Sequence, residues 1–385
     1  MELLQQATTH QLKLRFFDLE AEIRTDSQVF LDLFFRMYHH FQASSASVSP
    51  PPTAQAKFTL LSDPHNPWGV PVLLLDEEVV PLRDPQLLEG YAYERVLSSI
   101  VARVRSHFLI HASVASHDEK GIVLVADSSY GKTTLILELV RRGLKFLSDE
   151  LAALGRADHL VHPFPRCLRV RPGTLALIGL PALTTATEEW LGKLLIDVDE
   201  IRPHSLGGAV PISHIIILQD PAEDRETRID SAERSLEIHV DHLNEDFLPM
   251  LREIEGVRGA SADTERTYPL LTLRISRGAY PLPRIEALCQ AQQMVILDII
   301  KRGEHQPDFD VPARLGSISR SQAMMEILRR FQGGHQSVLL QEELGGSATK
   351  LFLELADVLS EAECHQLFVG NLREMGDLVC DLAEA

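Results

Sequence analysis

Gly131-Lys132-Thr133 stands between an apolar run, Gly121 to Ala126, and a stretch whose Ile136, Leu139 and Val140 recur at helical spacing. Backbone amides in such a turn and at a helix start present partial positive charge. Lys132 adds a full charge, and Thr133 adds a hydroxyl suited to a bound magnesium ion. That is phosphate chemistry. Ser128, Ser129 and Tyr130 include no glycine, so their backbone has to meet the phosphates with side chains turned away. Together with Gly131, Lys132, Thr133 and Thr134 they form the expected nucleotide-binding set. Ala126 occupies a position where such loops carry glycine; this costs little unless the backbone there is left-handed.

Two acids follow at the end of the next apolar run. Asp149 lies seventeen residues after Lys132 (149 − 132 = 17), with Glu150 beside it. A carboxylate at that edge can hold magnesium or accept the proton of an attacking hydroxyl. So early an acid suits a kinase, whose acceptor needs a base beside the phosphate. His111 precedes Lys132 by twenty-one residues (132 − 111 = 21) and, taken alone, reads as a satisfied core histidine on an apolar strand. "HPFPRCLRVR" supplies Arg166, Arg169 and Arg171. Alternation puts Arg166 and Arg169 on opposite faces, one of them suited to a substrate phosphate or carboxylate. A salt-bridged surface strand fits that segment equally well.

The elements that must position these groups are legible in outline. Residues 1–106 read as an N-terminal α+β domain: strands in "LKLRFFDLEAEIRT", a helix capped by Asp26 or Ser27, a loop in "SSASVSPPPTAQ", more strands, and a helix from about Pro85 to Ser106. Residues 107–303 read as the nucleotide-binding core. Its strands include "FLIHASVAS", "GIVLVAD", "ISHIIILQD" and "YPLLTLRIS", and its helices include "NEDFLPMLREIEG" and "RIEALCQAQQMVILDIIKRG". "KFLSDELAALGRADHLVHPF" reads as strand, turn and returning strand, which implies a mixed sheet instead of a parallel crossover. "RPHSLGGAVP" reads as a loop near the site and "GEHQPDFDVPARLGS" as a linker. Residues 319–385 then form a C-terminal helical region, whose Leu351, Leu355, Leu359, Leu367, Leu372 and Leu378 suit recruitment or self-association, or the capping of a core.

Taken together, "IHASVASHDEKGIVLVADSSYGKTTLILELVRRGLKFLSDE" resembles the HPr kinase/phosphorylase family and its HPr-kinase-like relatives. Those proteins carry a histidine on a strand, a glycine-rich phosphate loop, a helix ending in Arg-Gly, and a strand ending in two acids. "PFPR" resembles a strand of the related kinases. The likeness covers about His107 to Gln219. It implies an α/β fold with a mixed-sheet P-loop core similar to phosphoenolpyruvate carboxykinase. It further implies Lys132 on the β- and γ-phosphates, Thr133 and Glu150 at magnesium, Asp149 as general base with Glu150 assisting, and His111 lining the transfer site. Ala126 and Ser129 replace loop glycines, Thr134 stands in place of an acid, Glu150 replaces the second aspartate, and no phosphorolysis signature is recognisable. Outward transfer without phosphorolysis is therefore expected.

The reading is an ATP- and Mg2+-dependent kinase acting on a hydroxyl, on a serine or threonine of a peptide or protein. A small-molecule kinase acting, for example, on free serine stays open, as does a nucleotide-binding interaction protein without transfer. A net charge of −18 over 385 residues argues against nucleic acid or an anionic membrane as partner. Four scattered cysteines, no evident secretory signal and no apolar run of spanning length suggest a cytoplasmic protein. The oligomeric state, a homo-oligomer included, is open.

Overall fold

The computed structural model describes residues 8–42, 52–82, 88–126, 130–186, 189–190, 193–220, 233–244, 246–265, 268–276, 279, 281–294, 296–302, 309–333 and 336–384. Most of the proline-rich loop read at 44–55, and part of the stretch read as a linker, lie outside them.

In the N-terminal part, alternation sets the first strands: Leu12, Leu14 and Phe16 are buried while Gln11 and Lys13 are exposed. Strands His10–Phe16, Leu19–Thr25, Ala54–Leu61, Val72–Leu75 and Glu78–Pro81 form one sheet in that order. Only the second and third run parallel, and a parallel step needs a crossover. Helix Gln28–Tyr38 supplies it, with Ser27 as the cap: its hydroxyl accepts from the Phe30 amide. Helix Leu88–Arg103 packs beside it on the same apolar cluster.

Among the described residues the central sheet has nine strands. Its main order is His107–Ile110, Ala152–Gly155, Leu160–His162, Val210–Gln219, Lys120–Val125, Ser113–His117, Lys145–Ser148. Val210–Gln219 runs parallel to Lys120–Val125 and to Glu363–Phe368, while the other pairings are antiparallel, so the sheet is mixed. Helix Lys132–Arg142 lays Leu135, Ile136, Leu139 and Val140 onto Leu124, Phe146, Ile216 and Leu367. Gly143, at φ 120, ends it in a conformation that glycine adopts without strain. Among the described residues there are two smaller sheets besides. One holds Leu168–Val170, Lys193–Ile196 and Glu189–Trp190; the other holds Val257–Asp263, Leu270–Ser276, Glu233–Val240 and Ile296–Arg302.

Several expectations are corrected. Lys145–Ser148 and Ala152–Gly155 do not form a hairpin with each other. The first pairs with Ser113–His117 at one edge, and the second pairs with His107–Ile110 and turns back into Leu160–His162. Glu150, at φ 74, provides the corner that separates them. The expected long helix at 284–303 stops at Ala291: Gln293 is left-handed at φ 56, and the isoleucine-rich stretch continues as strand Ile296–Arg302. A short buried apolar run has no period that distinguishes helix from strand. Arg314–Ser317, read as linker, is a strand against Glu363–Phe368. Glu363–Phe368 itself is a strand of the central sheet, set between helices Ala348–Val358 and Leu372–Glu384. Of the two readings left open for the C-terminal leucines, recruitment or the capping of a core, the structure shows the second: Leu351, Leu355, Leu359 and Leu367 are buried, and Leu372 and Leu378 pack against the same clusters. Among the described residues no helix is long and apolar enough to cross a membrane.

Candidate functional site

Gly131, left-handed at φ 78, leads into helix Lys132–Arg142. The left-handed backbone is what favours glycine; a Cβ there would also lie 3.1 Å from the Phe309 ring, which would have to shift slightly. Ala126 keeps its φ out of the positive range, and its carbonyl accepts from Arg330 Nε at 3.4 Å. Replacing that glycine therefore costs the backbone nothing. Ser128 and Ser129 lie outside the described residues. Tyr130 packs against the apolar cluster under the helix.

Asp149 follows strand Lys145–Ser148 and is buried, 4 % exposed. Both its oxygens are engaged: Ser113 Oγ donates to Oδ1, and Thr133 Oγ1 donates to Oδ2 at 2.9 Å. The hydrogen bond from Thr133 has a chemical consequence. Its proton points at the carboxylate, so the lone pairs of its oxygen are left for a cation. Thr133 lines the cleft and Asp149 sits behind it. Ser113 was not anticipated, since a single serine at the start of an apolar strand carries no signal in the sequence.

Glu150 turns the other way. Its carboxylate pairs with Arg166, whose side chain is 5 % exposed. Burial alone would raise the Glu150 carboxyl, but Arg166, then Arg169 and Lys193, hold it well below the ordinary carboxylate range. Burial likewise opposes the charge on Arg166, yet Glu150 and two tyrosines keep it firmly protonated. Those tyrosines belong to the N-terminal part: Tyr38 and Tyr93 share a hydroxyl–hydroxyl bond of 2.9 Å beneath Arg166, and burial raises both phenols. Glu94, from the same helix as Tyr93, lies 3.7 Å from Arg169. The N-terminal helices therefore clamp the two arginines, a role that nothing in their sequence announces.

Arg166 and Arg169 both line the cleft, contrary to the opposite faces expected from alternation. The strand begins only at Leu168, so Arg166 lies outside the regular pleat and parity does not apply to it. His111 lies just past strand His107–Ile110 instead of within it; its amide donates to the Arg330 carbonyl at 2.8 Å and it lines the cleft. Thr133 and Glu150, grouped from sequence as metal ligands, have no described contact with each other; the carboxylate against Thr133 is that of Asp149. Residues 204–207 run along strand Lys145–Ser148, with Gly207 N–H donating to Phe146 O, and line no part of the cleft.

The cleft is open to solvent and has a volume of about 2140 Å3. Lys132, Arg166, Arg169, Arg171, Lys193 and Arg330 line it, a concentration of positive charge in a chain whose net charge is −18. Such a cleft draws in anions and holds them. Thr134 lies on its wall beside Thr133.

No family model matches the chain. No curated protein matches it either. Among solved structures it is similar to the Hpr(Ser) kinase/phosphatase from Coxiella burnetii, with 14% identity over 48% of this chain and 95% of that one and a TM-score of 0.22. At that score the likeness is too slight to carry fold or activity across.

Proposed function

We propose that this protein is an ATP- and magnesium-dependent kinase that transfers a phosphoryl group to a serine or threonine hydroxyl of a peptide or protein. In this reading the central sheet and the Gly131-Lys132-Thr133 entry to helix Lys132–Arg142 are a P-loop core of the HPr-kinase-like kind, built on the 107–303 unit with strands Arg314–Ser317 and Glu363–Phe368 added. Residues 1–106 are an accessory domain, and 319–385 complete the central sheet with strand Glu363–Phe368 between helices, the whole working in the cytoplasm. The observation that carries the reading is the Thr133–Asp149 hydrogen bond at the foot of a cationic cleft. A hydroxyl whose proton is held by a carboxylate offers its oxygen to a cation, and the lysine beside it supplies charge for a triphosphate.

The donor set suits magnesium, being oxygen only: the Thr133 hydroxyl, with Asp149 behind it. Bound there, the ion would draw charge from the phosphate oxygens during transfer. The chain's own groups do the rest. Lys132 and the turn amides neutralise and orient the phosphates, and Arg166 and Arg169 hold the acceptor's side of the cleft or the transferred group. Asp149 accepts the proton of the attacking hydroxyl; a carboxylate has about four acceptor positions, and the two hydroxyl bonds leave room for a third. Glu150, held ionised by Arg166, fixes the corner, and His111 lines the transfer path.

The cleft also bears on acceptor size. Small-molecule sites occupy roughly 300–1,000 Å3, so 2140 Å3 has room for a nucleotide and a peptide segment together. The test uses γ-labelled ATP with magnesium, a randomised serine/threonine peptide mixture in one arm and free serine in another. Label should enter peptide with the native chain and not with Lys132→Ala. Label in free serine alone would overturn the peptide reading. Tight ATP binding with no transfer in either arm would leave a nucleotide-binding protein.

A further inference from the structure

The junction between the first helix and the three-stranded sheet holds a cluster remote in role from the phosphate site. His39 Nε2 lies 3.2 Å and His40 Nε2 3.3 Å from the same atom, Asp197 Oδ2. The three donor atoms lie within 4.8 Å of one another. Four ligands at about 2.0–2.1 Å from a tetrahedral ion stand roughly 3.3–3.4 Å apart along each edge. The two nitrogen–oxygen separations, 3.2 and 3.3 Å, are close to that edge.

The outer contacts are those of metal ligands. His39 Nδ1 lies 3.2 Å from the Arg36 carbonyl, which can only accept, so Nδ1 carries the proton. In the neutral ring Nε2 then turns a lone pair toward an anionic oxygen, an unfavourable meeting unless a cation or a second proton lies between. Ring orientation through a backbone carbonyl is the usual support of a ligating histidine. Asp197 is fixed equally well. It caps helix Val198–Ile201, its Oδ1 accepting from the Asp199 amide at 2.9 Å, which leaves Oδ2 directed at the two rings. The side chains are 35 %, 20 % and 22 % exposed, so an ion can enter and keep a water in a fourth position.

We propose that His39, His40 and Asp197 form a binding site for a divalent transition ion of the zinc type. Two imidazoles and one carboxylate suit zinc, cobalt or nickel; magnesium and calcium take oxygen ligands. The site joins Tyr38, the residue before His39, to the strand that carries Lys193; Tyr38 lies against Arg166, and Lys193 acts on Glu150. A bound ion therefore cross-links the N-terminal part to the wall of the cleft. This inference stands on its own and does not depend on the phosphoryl-transfer reading.

The test is Zn2+ titration of the chelator-stripped full chain against a chromophoric competitor, with Co2+ absorption reporting geometry. Asp197→Asn is the decisive variant because asparagine caps a helix as well as aspartate does. His39→Gln/His40→Gln is the second, and His365→Gln serves as control for a separate His214, Glu363 and His365 cluster. The native chain and the control should bind zinc with the same affinity and give a four-coordinate cobalt spectrum. Asp197→Asn and the double histidine variant, folded by circular dichroism, should bind at least about a hundredfold more weakly, the upper end of what outer-shell partners alone cost. Their melting temperatures should lose the rise that zinc gives the native chain. Equal zinc affinity in native chain and variants, or no affinity tighter than about millimolar in the native chain, overturns the site.

Discussion

Asp149→Asn separates chemistry from architecture. The native carboxylate receives two hydroxyl protons, from Thr133 at 2.9 Å and from Ser113. A hydrogen bond to a charged group contributes about 1.5–3 kcal/mol, and the asparagine amide keeps one acceptor while turning its NH2 toward the other hydroxyl. That hydroxyl can rotate and accept, so no buried donor is stranded. The stability loss should then be about 1–2 kcal/mol, a fall in melting temperature of a few degrees for a chain of this size. Transfer should fall far more. A general base contributes about 100- to 10,000-fold, or roughly 3–5 kcal/mol of barrier. The assay is single-turnover transfer from γ-labelled ATP to the peptide mixture, beside nucleotide affinity by fluorescence competition and thermal melting. Nucleotide affinity should change less than about threefold, because Lys132 and the turn amides remain. A transfer rate within about tenfold of native, with the melting temperature lowered as expected, would refute the base assignment and leave Asp149 as the anchor of Thr133.

Three further outcomes follow from the packing. Glu150→Gln leaves Arg166 buried without its counter-ion; breaking a fully buried pair costs about 3–5 kcal/mol, and with Glu150 32 % exposed the loss in urea unfolding should be nearer 2 kcal/mol. Because the folded carboxyl is depressed, that contribution is present above about pH 4.5 and lost as pH falls; equal stability of variant and native chain at pH 7 would contradict it. His107 is buried against Phe17 and shifted from 6.5 to about 4, first by burial and next by His162. The unfolded chain therefore binds its proton first, and stability present above about pH 6.5 should decline by roughly 3 kcal/mol as pH falls to 4, a slope that His107→Phe should remove. Truncation after Gly346 deletes strand Glu363–Phe368 and buried Leu355, Leu367 and Val379, so the product should be insoluble or unfolded by circular dichroism; a cooperatively melting product would return these helices to a recruitment role.

What the sequence determined by itself was local. The turn into helix Lys132–Arg142, its glycine at each end, and the pair of acids after Lys145–Ser148 depend on neighbouring residues and on backbone geometry that particular residue types impose. Alternation was enough for His10–Phe16 and Leu19–Thr25, and capping for helix Gln28–Tyr38. Strand partners were a different matter. Lys145–Ser148 and Ala152–Gly155 adjoin in sequence yet pair at opposite ends of the sheet's main order, because register is chosen by which distant strand buries each face. Isoleucines at 296, 299 and 300 fit helix or strand until Glu233–Val240 lay beside them, and Glu363–Phe368 became a strand only because Val210–Gln219 offered an unpaired edge. The site divided in the same way. Lys132, Thr133 and Asp149 were readable as a motif, whereas Ser113 beneath Asp149, Tyr38 and Tyr93 beneath Arg166, and His39 and His40 against Asp197 come from segments tens of residues or more away. No local pattern encodes such meetings. They arise where the apolar faces of separate elements are buried together, and the polar groups at those seams take the partners that burial leaves them.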